Sequence, residues 1–341
     1  MRTEQLTFTR FLAATLVVVY HYGQQIPPFN LPALQPIVQK FNTSVSYFFV
    51  LSGFIMSYVY YSPATKLSWS RYLTLRLARV YPLYLLALLL YLCFTIHPFD
   101  PVSVAYSAVM LQSWTEHHSL AINYPGWSIS VEIFFYVMFP VLLSAYRKIS
   151  LKTLIAIGVA LYVFGMVCLY LIIHQVPEVA GTNLFIYSPP MHLLQFILGN
   201  ITGIYVLSVE KTTKGRNLDV PVIALAFALS LILLYVDALP IYHGGLALIF
   251  VPLFFYLTAN TGVITKLFAR PECVFLGEIS YGMYILQAPL YYAFLRLNTF
   301  LKWGETLFFY SYLIGLILIS ALLYRVFEVP VRRMIRRLTA K

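Results

Sequence analysis

Ten stretches of mostly apolar residues divide this chain, and a water-soluble fold has no place for them. They cover residues 7–25, 43–61, 80–96, 125–146, 152–173, 189–209, 219–237, 242–260, 274–296 and 305–327. About 20 such residues cross the hydrocarbon of a bilayer as an α-helix. Composition agrees. Charged residues make up 10% of the 341 and hydrophobic ones 60%, against roughly 25% charged in soluble domains. A water-soluble globule needs more polar surface than this, and a disordered chain needs far less apolar content. The expected fold is all-α: one polytopic membrane domain over 1–341 with about ten transmembrane helices. The run at 102–111 is too short to span, so 97–124 reads as an outer loop with an interfacial or re-entrant piece. The first run starts near the N-terminus, lacks a convincing cleavage site, and reads as a retained helix.

Orientation follows from the basic residues, which concentrate on the cytoplasmic side of membrane proteins. With the N-terminus inside and ten alternating helices, 20 of the 23 basic residues fall in inner segments. These are Arg2 and Arg10; Lys66, Arg71, Arg76 and Arg79; Arg147, Lys148 and Lys152; Lys211, Lys214 and Arg216; Lys266 and Arg270; and Arg325, Arg332, Arg333, Arg336, Arg337 and Lys341. Lys40, Arg296 and Lys302 fall outside. The net charge of +11 is therefore topological, and no nucleic acid is expected as a partner. Cys93, Cys168 and Cys273 are too widely spaced for a disulfide framework or a zinc site, and no metal is expected.

Ionisable groups inside apolar helices are costly and face a cavity or a partner. Arg10, His21, Glu132, His192, Glu278 and Glu328 meet that description. Arg10 and His21 are eleven residues apart, which puts them on one helix face about 16 Å apart along the axis. Arg10 would lie near the cytoplasmic edge, as a snorkelling anchor or a cavity group. His21 would lie near mid-membrane, the only histidine deep in a span. Arg76 and Arg79 share a face and could hold phosphate through paired donors, or anchor topology. Ser128 and Glu132 share a face, with Glu132 needing a partner or a proton. Ser52-Gly53 reads as a close helix packing point. Glu328 could pair with an arginine of the basic tail, and Arg332, Arg333, Arg336 and Arg337 could contact anionic lipid. His97, His117, His118, His174 and His243 fall in outer loops, and His192 at a solvated outer edge. Their spacings assemble no metal site.

Together these residues resemble the acyltransferase 3 family of integral-membrane O-acyltransferases. The likeness runs through Arg10-x10-His21, Phe48-Phe49-Val50-Leu51-Ser52-Gly53-Phe54, and Arg76-x2-Arg79 with Tyr81-Pro82. It continues through Trp127-Ser128-x-Ser130-x-Glu132, Leu276-Gly277-x-Ile279-Ser280-Tyr281-Gly282-x-Tyr284, and Glu328-x-Pro330. One departure is Gln287, where family members often carry histidine, and no acid–base role is assigned there. The SGNH hydrolase-like domain of many relatives is not expected, so the membrane domain should complete the transfer alone.

The resemblance implies an acetyl or other short acyl group moving from cytoplasmic acyl-CoA to a hydroxyl of a carbohydrate or glycolipid acceptor. Exopolysaccharide, O-antigen and other cell-surface glycans are such acceptors. It implies helices around a central acyl-CoA and acceptor cavity in the bacterial inner membrane, with both termini cytoplasmic and membrane lipids as partners. Arg10, Arg76 and Arg79 would hold the donor phosphates, His21 would act as catalytic base, and Glu132 would orient it. Imidazole titrates near neutrality, which suits it to take a proton from a hydroxyl. A transporter or flippase for a glycosylated or anionic lipid is the rival reading. No repeated halves or paired broken helices support it.

Overall fold

The computed structural model describes residues 4–62, 67–96, 98–213, 215–236 and 243–339, apart from the side chains of 210–213. Arg2, Lys66, His97, Lys214, Lys341 and the side chain of Lys211 lie outside the described residues, as do the expected boundaries at 237 and 242. Among the described residues the regular structure is helical. The longer helices are α1 (Glu4–Tyr22), α2 (Ser44–Tyr60), α3 (Trp69–Phe94), α4 (Pro101–Ala108), α5 (Trp127–Tyr146) and α6 (Leu151–Gln175). They continue as α7 (Pro189–Thr213), α8 (Asp219–Tyr235), α9 (Ala247–Ala259), α10 (Pro271–Leu301), α11 (Glu305–Leu323) and α12 (Val329–Leu338). A π-turn over Tyr324–Glu328 joins α11 to α12.

Each of the ten apolar runs overlaps one of these helices, though several helices extend beyond their run. Among the described residues, six helical segments are long and apolar enough to cross a membrane, which fits an integral membrane protein. They are the segments containing α2, α3, α5, α6, α7 and α11. α8 and α9 are apolar but only 17 and 13 residues long. α1 and α10 have the length, but polar residues such as Gln5, Arg10, Glu278 and Gln287 dilute their apolar content. The two pack against each other within the bundle. α6 lies at the periphery, with Phe164, Val159 and Val163 more than half exposed, as on a face that meets lipid.

Two helix crossings are close because glycine removes the side chain between them. At the α2–α7 crossing, a Cβ on Gly53 would run into Phe196 O and one on Gly199 into Val50 O. At the α1–α10 crossing, a Cβ on Gly277 would overlap Thr7 O. Small residues allow this approach in a medium that supplies no hydrophobic drive between helices. Polar bonds tie the bundle nearby: Ser57 Oγ donates to Asn200 Oδ1 at 2.6 Å, and Gln5 Nε2 to Leu257 O at 3.0 Å. The expectation that Gly53 is a packing point therefore holds.

The segment between α3 and α5 is more structured than a loop. Asp100 caps α4 by accepting from the N–H groups of Val102 and Ser103 at 3.1 and 3.0 Å. The Ser103 hydroxyl, with those two N–H groups, holds the Asp100 carboxyl below its usual range. Further on, Gln112 Nε2 donates to Gly126 O at 2.7 Å and Ser113 Oγ to Trp127 O at 2.8 Å. Both bonds secure the start of α5, which carries Ser128 and Glu132.

Candidate active site

One cavity of about 260 Å³ gathers polar residues from five helices. α1 contributes Arg10, α3 contributes Arg76 and Arg79, and α5 contributes Ser128, Glu132 and Tyr136. α2 adds Ser52 with the apolar Phe48, Phe49 and Ile55, and α10 adds Ser280, Tyr281 and Tyr284. The four residues that the sequence offers as donor-binding or carboxylate groups thus meet in one place. Three arginines face one glutamate, which leaves the site electropositive.

Each charged group has a defined setting. Glu132 Oε1 accepts from Ser52 Oγ at 2.7 Å. Its carboxylate also lies beside Tyr136 and in the field of Arg79 and Arg76. The Arg76 guanidinium sits among three tyrosine rings, 5.3 Å from that of Tyr60, 5.7 Å from Tyr72 and 5.9 Å from Tyr136. Such a cage holds a cation by its ring quadrupoles. Arg76 Nε is buried with no hydrogen-bond partner. A buried donor left unbonded is expensive, and an anionic ligand would satisfy it. The cavity thus offers an anionic group three arginines, one of them with an unused donor.

His21 lies elsewhere. It is in the last turn of α1, one residue before the helix ends, and it is exposed. α1 stops at Tyr22 rather than 25, so His21 stands in its last turn, at the end opposite Arg10. Its ring contacts Tyr20, Tyr22 and Tyr124, with the Tyr124 centroid 4.7 Å away. Glu132 bonds Ser52, and no described contact joins it to His21. Tyr284 and Ser128, whose hydroxyls are 2.8 Å apart, both line the cavity. Tyr124 lies one turn before Ser128, on the His21 side, and its hydroxyl donates to Tyr22 Oη at 2.5 Å.

Other histidines also depart from expectation. His192, expected at a solvated edge, is 1% exposed. Its Nε2 pairs with Ile186 O at 2.9 Å, and its ring packs on Phe49 and His243. His243, expected in an outer loop, is 2% exposed. Both are buried where chain segments about fifty residues apart fold together. His118 bonds Ser103 at 2.8 Å in the α4 region, and Glu278 accepts from Tyr324 at 2.6 Å. Glu328 lies in the field of Arg332, Arg79 and Arg10, with its buried Oε1 carrying no hydrogen bond. Gln287 is fully buried and donates to Tyr284 O at 2.7 Å.

Sequence reasoning reads Ser52 as packing, gives Tyr284 no role beyond the family likeness, and passes over Tyr60, Tyr72 and Tyr136. One signal is available: Tyr72 and Tyr136 each stand four residues from a charged cavity residue, Arg76 and Glu132, on the same helix face.

A bundle with membrane-length helices and an arginine-lined cavity defines the class. The family model described as "Acyltransferase domain" matches residues 4–325, and the chain belongs to this acyltransferase 3 family. It is similar to the acyltransferase MdmB of Streptomyces mycarofaciens, at 28% identity over 228 residues. That match covers 60% of this chain and 57% of the relative. No solved structure matches it significantly.

Proposed function

We propose that this chain is a membrane O-acyltransferase that moves an acetyl or other short acyl group from cytoplasmic acyl-CoA to a hydroxyl of a carbohydrate or glycolipid acceptor. The observation that carries the reading is the convergence of Arg10, Arg76, Arg79 and Glu132 on one cavity, with Arg76 Nε buried and unbonded. Family membership supports acyl transfer, and the arginines supply the phosphate recognition that acyl-CoA needs.

The cavity is smaller than the roughly 300–1,000 Å³ that encloses a drug-sized ligand. The pantetheine arm with its thioester enters, and the nucleotide stays at the mouth. The thioester reaches the Ser128–Tyr284 end, beyond which lie Tyr124 and His21. The acceptor hydroxyl attacks the thioester carbonyl and His21 takes its proton. The ester C–O bond forms, the C–S bond breaks, and the proton passes to the departing thiolate. Ten crossings in the bacterial inner membrane, with both termini cytoplasmic, complete the proposal. The basic residues support that orientation.

The test is purified protein with acetyl-CoA and cell-envelope glycan extract, followed by free-thiol release and mass spectrometry of the glycan. Acceptor-dependent CoA release is expected. Arg76→Ala and Arg79→Ala should each weaken CoA binding roughly ten-fold or more, from charge-assisted bonds of about 1.5–3 kcal/mol each. Folded variants that bind CoA normally would reduce these arginines to topology anchors. Movement of a glycolipid across vesicles without CoA release would establish the transporter reading instead.

A further inference from the structure

A second basic site lies outside the cavity. Arg325, Arg332, Arg333 and Arg336 line a groove of about 440 Å³ with Tyr324 and Val329. Two of its members are fixed in place. The Arg325 guanidinium lies 4.9 Å from the centre of the Phe275 ring, and Tyr324 is held by its bond to Glu278. Residues 329–341 contain no acidic side chain, and Glu328 just before them faces Arg332. The π-turn over Tyr324–Glu328 carries the chain from α11 into this stretch, and such turns recur at functional sites.

The groove also lies beside a helix that lines the cavity. α12 packs against α3, the helix that bears Arg76 and Arg79. Glu328, at the end of the π-turn, lies in the field of Arg332 from the groove and of Arg79 and Arg10 from the cavity. A line of cationic groups therefore runs from the surface inward, with one carboxylate between its two parts. A positive-inside anchor needs charge only. It does not need arginines gathered round one groove.

We propose that this groove is a second phosphate-ester site, able to take a phosphate outside the cavity. The source is either the nucleotide phosphate of the acyl donor or the headgroup of an anionic phospholipid. The first source rests on the donor reading given above, in which the nucleotide stays at the mouth. The second does not depend on it.

The experiment uses the full chain in nanodiscs and the Arg333→Ala/Arg336→Ala pair, both exposed positions whose loss opens no core cavity. Arg337→Ala is the control, since it removes an exposed charge that does not line the groove. In phosphatidylcholine nanodiscs, binding of CoA and of 3′-dephospho-CoA is measured. In mixed nanodiscs, phosphatidylglycerol retained after extraction is measured by native mass spectrometry.

If the donor is the source, wild type and Arg337→Ala prefer CoA over 3′-dephospho-CoA by about ten-fold, and the pair variant loses that preference. If lipid is the source, the pair variant loses retained phosphatidylglycerol while Arg337→Ala keeps it. A pair variant that matches Arg337→Ala in both measurements overturns the site. Absence of any CoA binding to wild type overturns the donor reading, and the lipid measurement alone then decides the groove. Arg333→Lys/Arg336→Lys keeps the charge but loses paired donors. It should recover less than half of the lost binding, and full recovery would show charge alone at work and overturn a built site.

Discussion

Ser52 Oγ donates a 2.7 Å hydrogen bond to Glu132 Oε1, joining α2 to α5 across 80 positions of sequence. The bond fixes the one carboxylate that faces three cavity arginines. Glu132 offsets their mutual repulsion, and Ser52 sets where that offset is applied.

Glu132→Gln removes the offset and leaves the arginines facing one another. Bound polyanion should then stabilise the variant more than the wild type, because a ligand stabilises in proportion to its preference for the folded state. CoA is therefore expected to raise the Tm of Glu132→Gln by several degrees more than it raises the wild type. Ser52→Ala, which loses one bond to a charged group, should reduce transfer roughly ten-fold. Thermal unfolding with and without CoA checks the first expectation. An equal or smaller shift in Glu132→Gln would show that Glu132 does not balance the arginines.

Arg10, Arg76, Arg79 and Glu132 are legible in sequence because a charge in an apolar run is costly and has few cheap explanations. Ser52 and Tyr136 are not, since serine and tyrosine pack in helices at little cost and reveal a partner only in three dimensions. The helix-end setting of His21 escapes the sequence for a smaller reason: α1 ends three residues earlier than the apolar run, which puts His21 in its last turn. The burial of His192 and His243 escapes it because hydropathy along the chain does not register a neighbour about fifty residues away.

The glycine crossings give a stability prediction. A methyl at position 199 meets Val50 O, a backbone atom of a packed helix that cannot rotate aside. Gly199→Ala should destabilise the fold by about 1–3 kcal/mol, the usual range for overpacking. At Gly304 a methyl would meet no atom within 4 Å, and the backbone has an ordinary φ of −65°, so Gly304→Ala should be near neutral. Matching melting curves for the two variants in one detergent would remove the crossing as a source of stability.

The orientation proposal can be read from the two ends of one helix. Arg270 and Lys302 flank α10, whose 31 residues span about 46 Å at the standard rise, enough to cross a bilayer core of about 30 Å. In a background with Cys93, Cys168 and Cys273 replaced, Arg270→Cys should react with an impermeant maleimide only after the membrane is opened. Lys302→Cys should react in intact cells. Equal labelling of both positions from outside would reverse or break the ten-span topology.

His21 decides the mechanism. It stands about 16 Å along α1 from Arg10, against Tyr124, which lies four residues before the cavity-lining Ser128. A base there meets an acceptor arriving from the far side without touching the donor phosphates. His21→Gln keeps a polar side chain and loses the proton shuttle. Since a positioned base contributes 10²–10⁴-fold, transfer should fall by about that factor while CoA affinity stays unchanged. An unaltered melting temperature would separate such a loss from a fold defect. Near-normal turnover in His21→Gln would remove histidine from the proton path and leave Glu132, inside the cavity, as the group to test next.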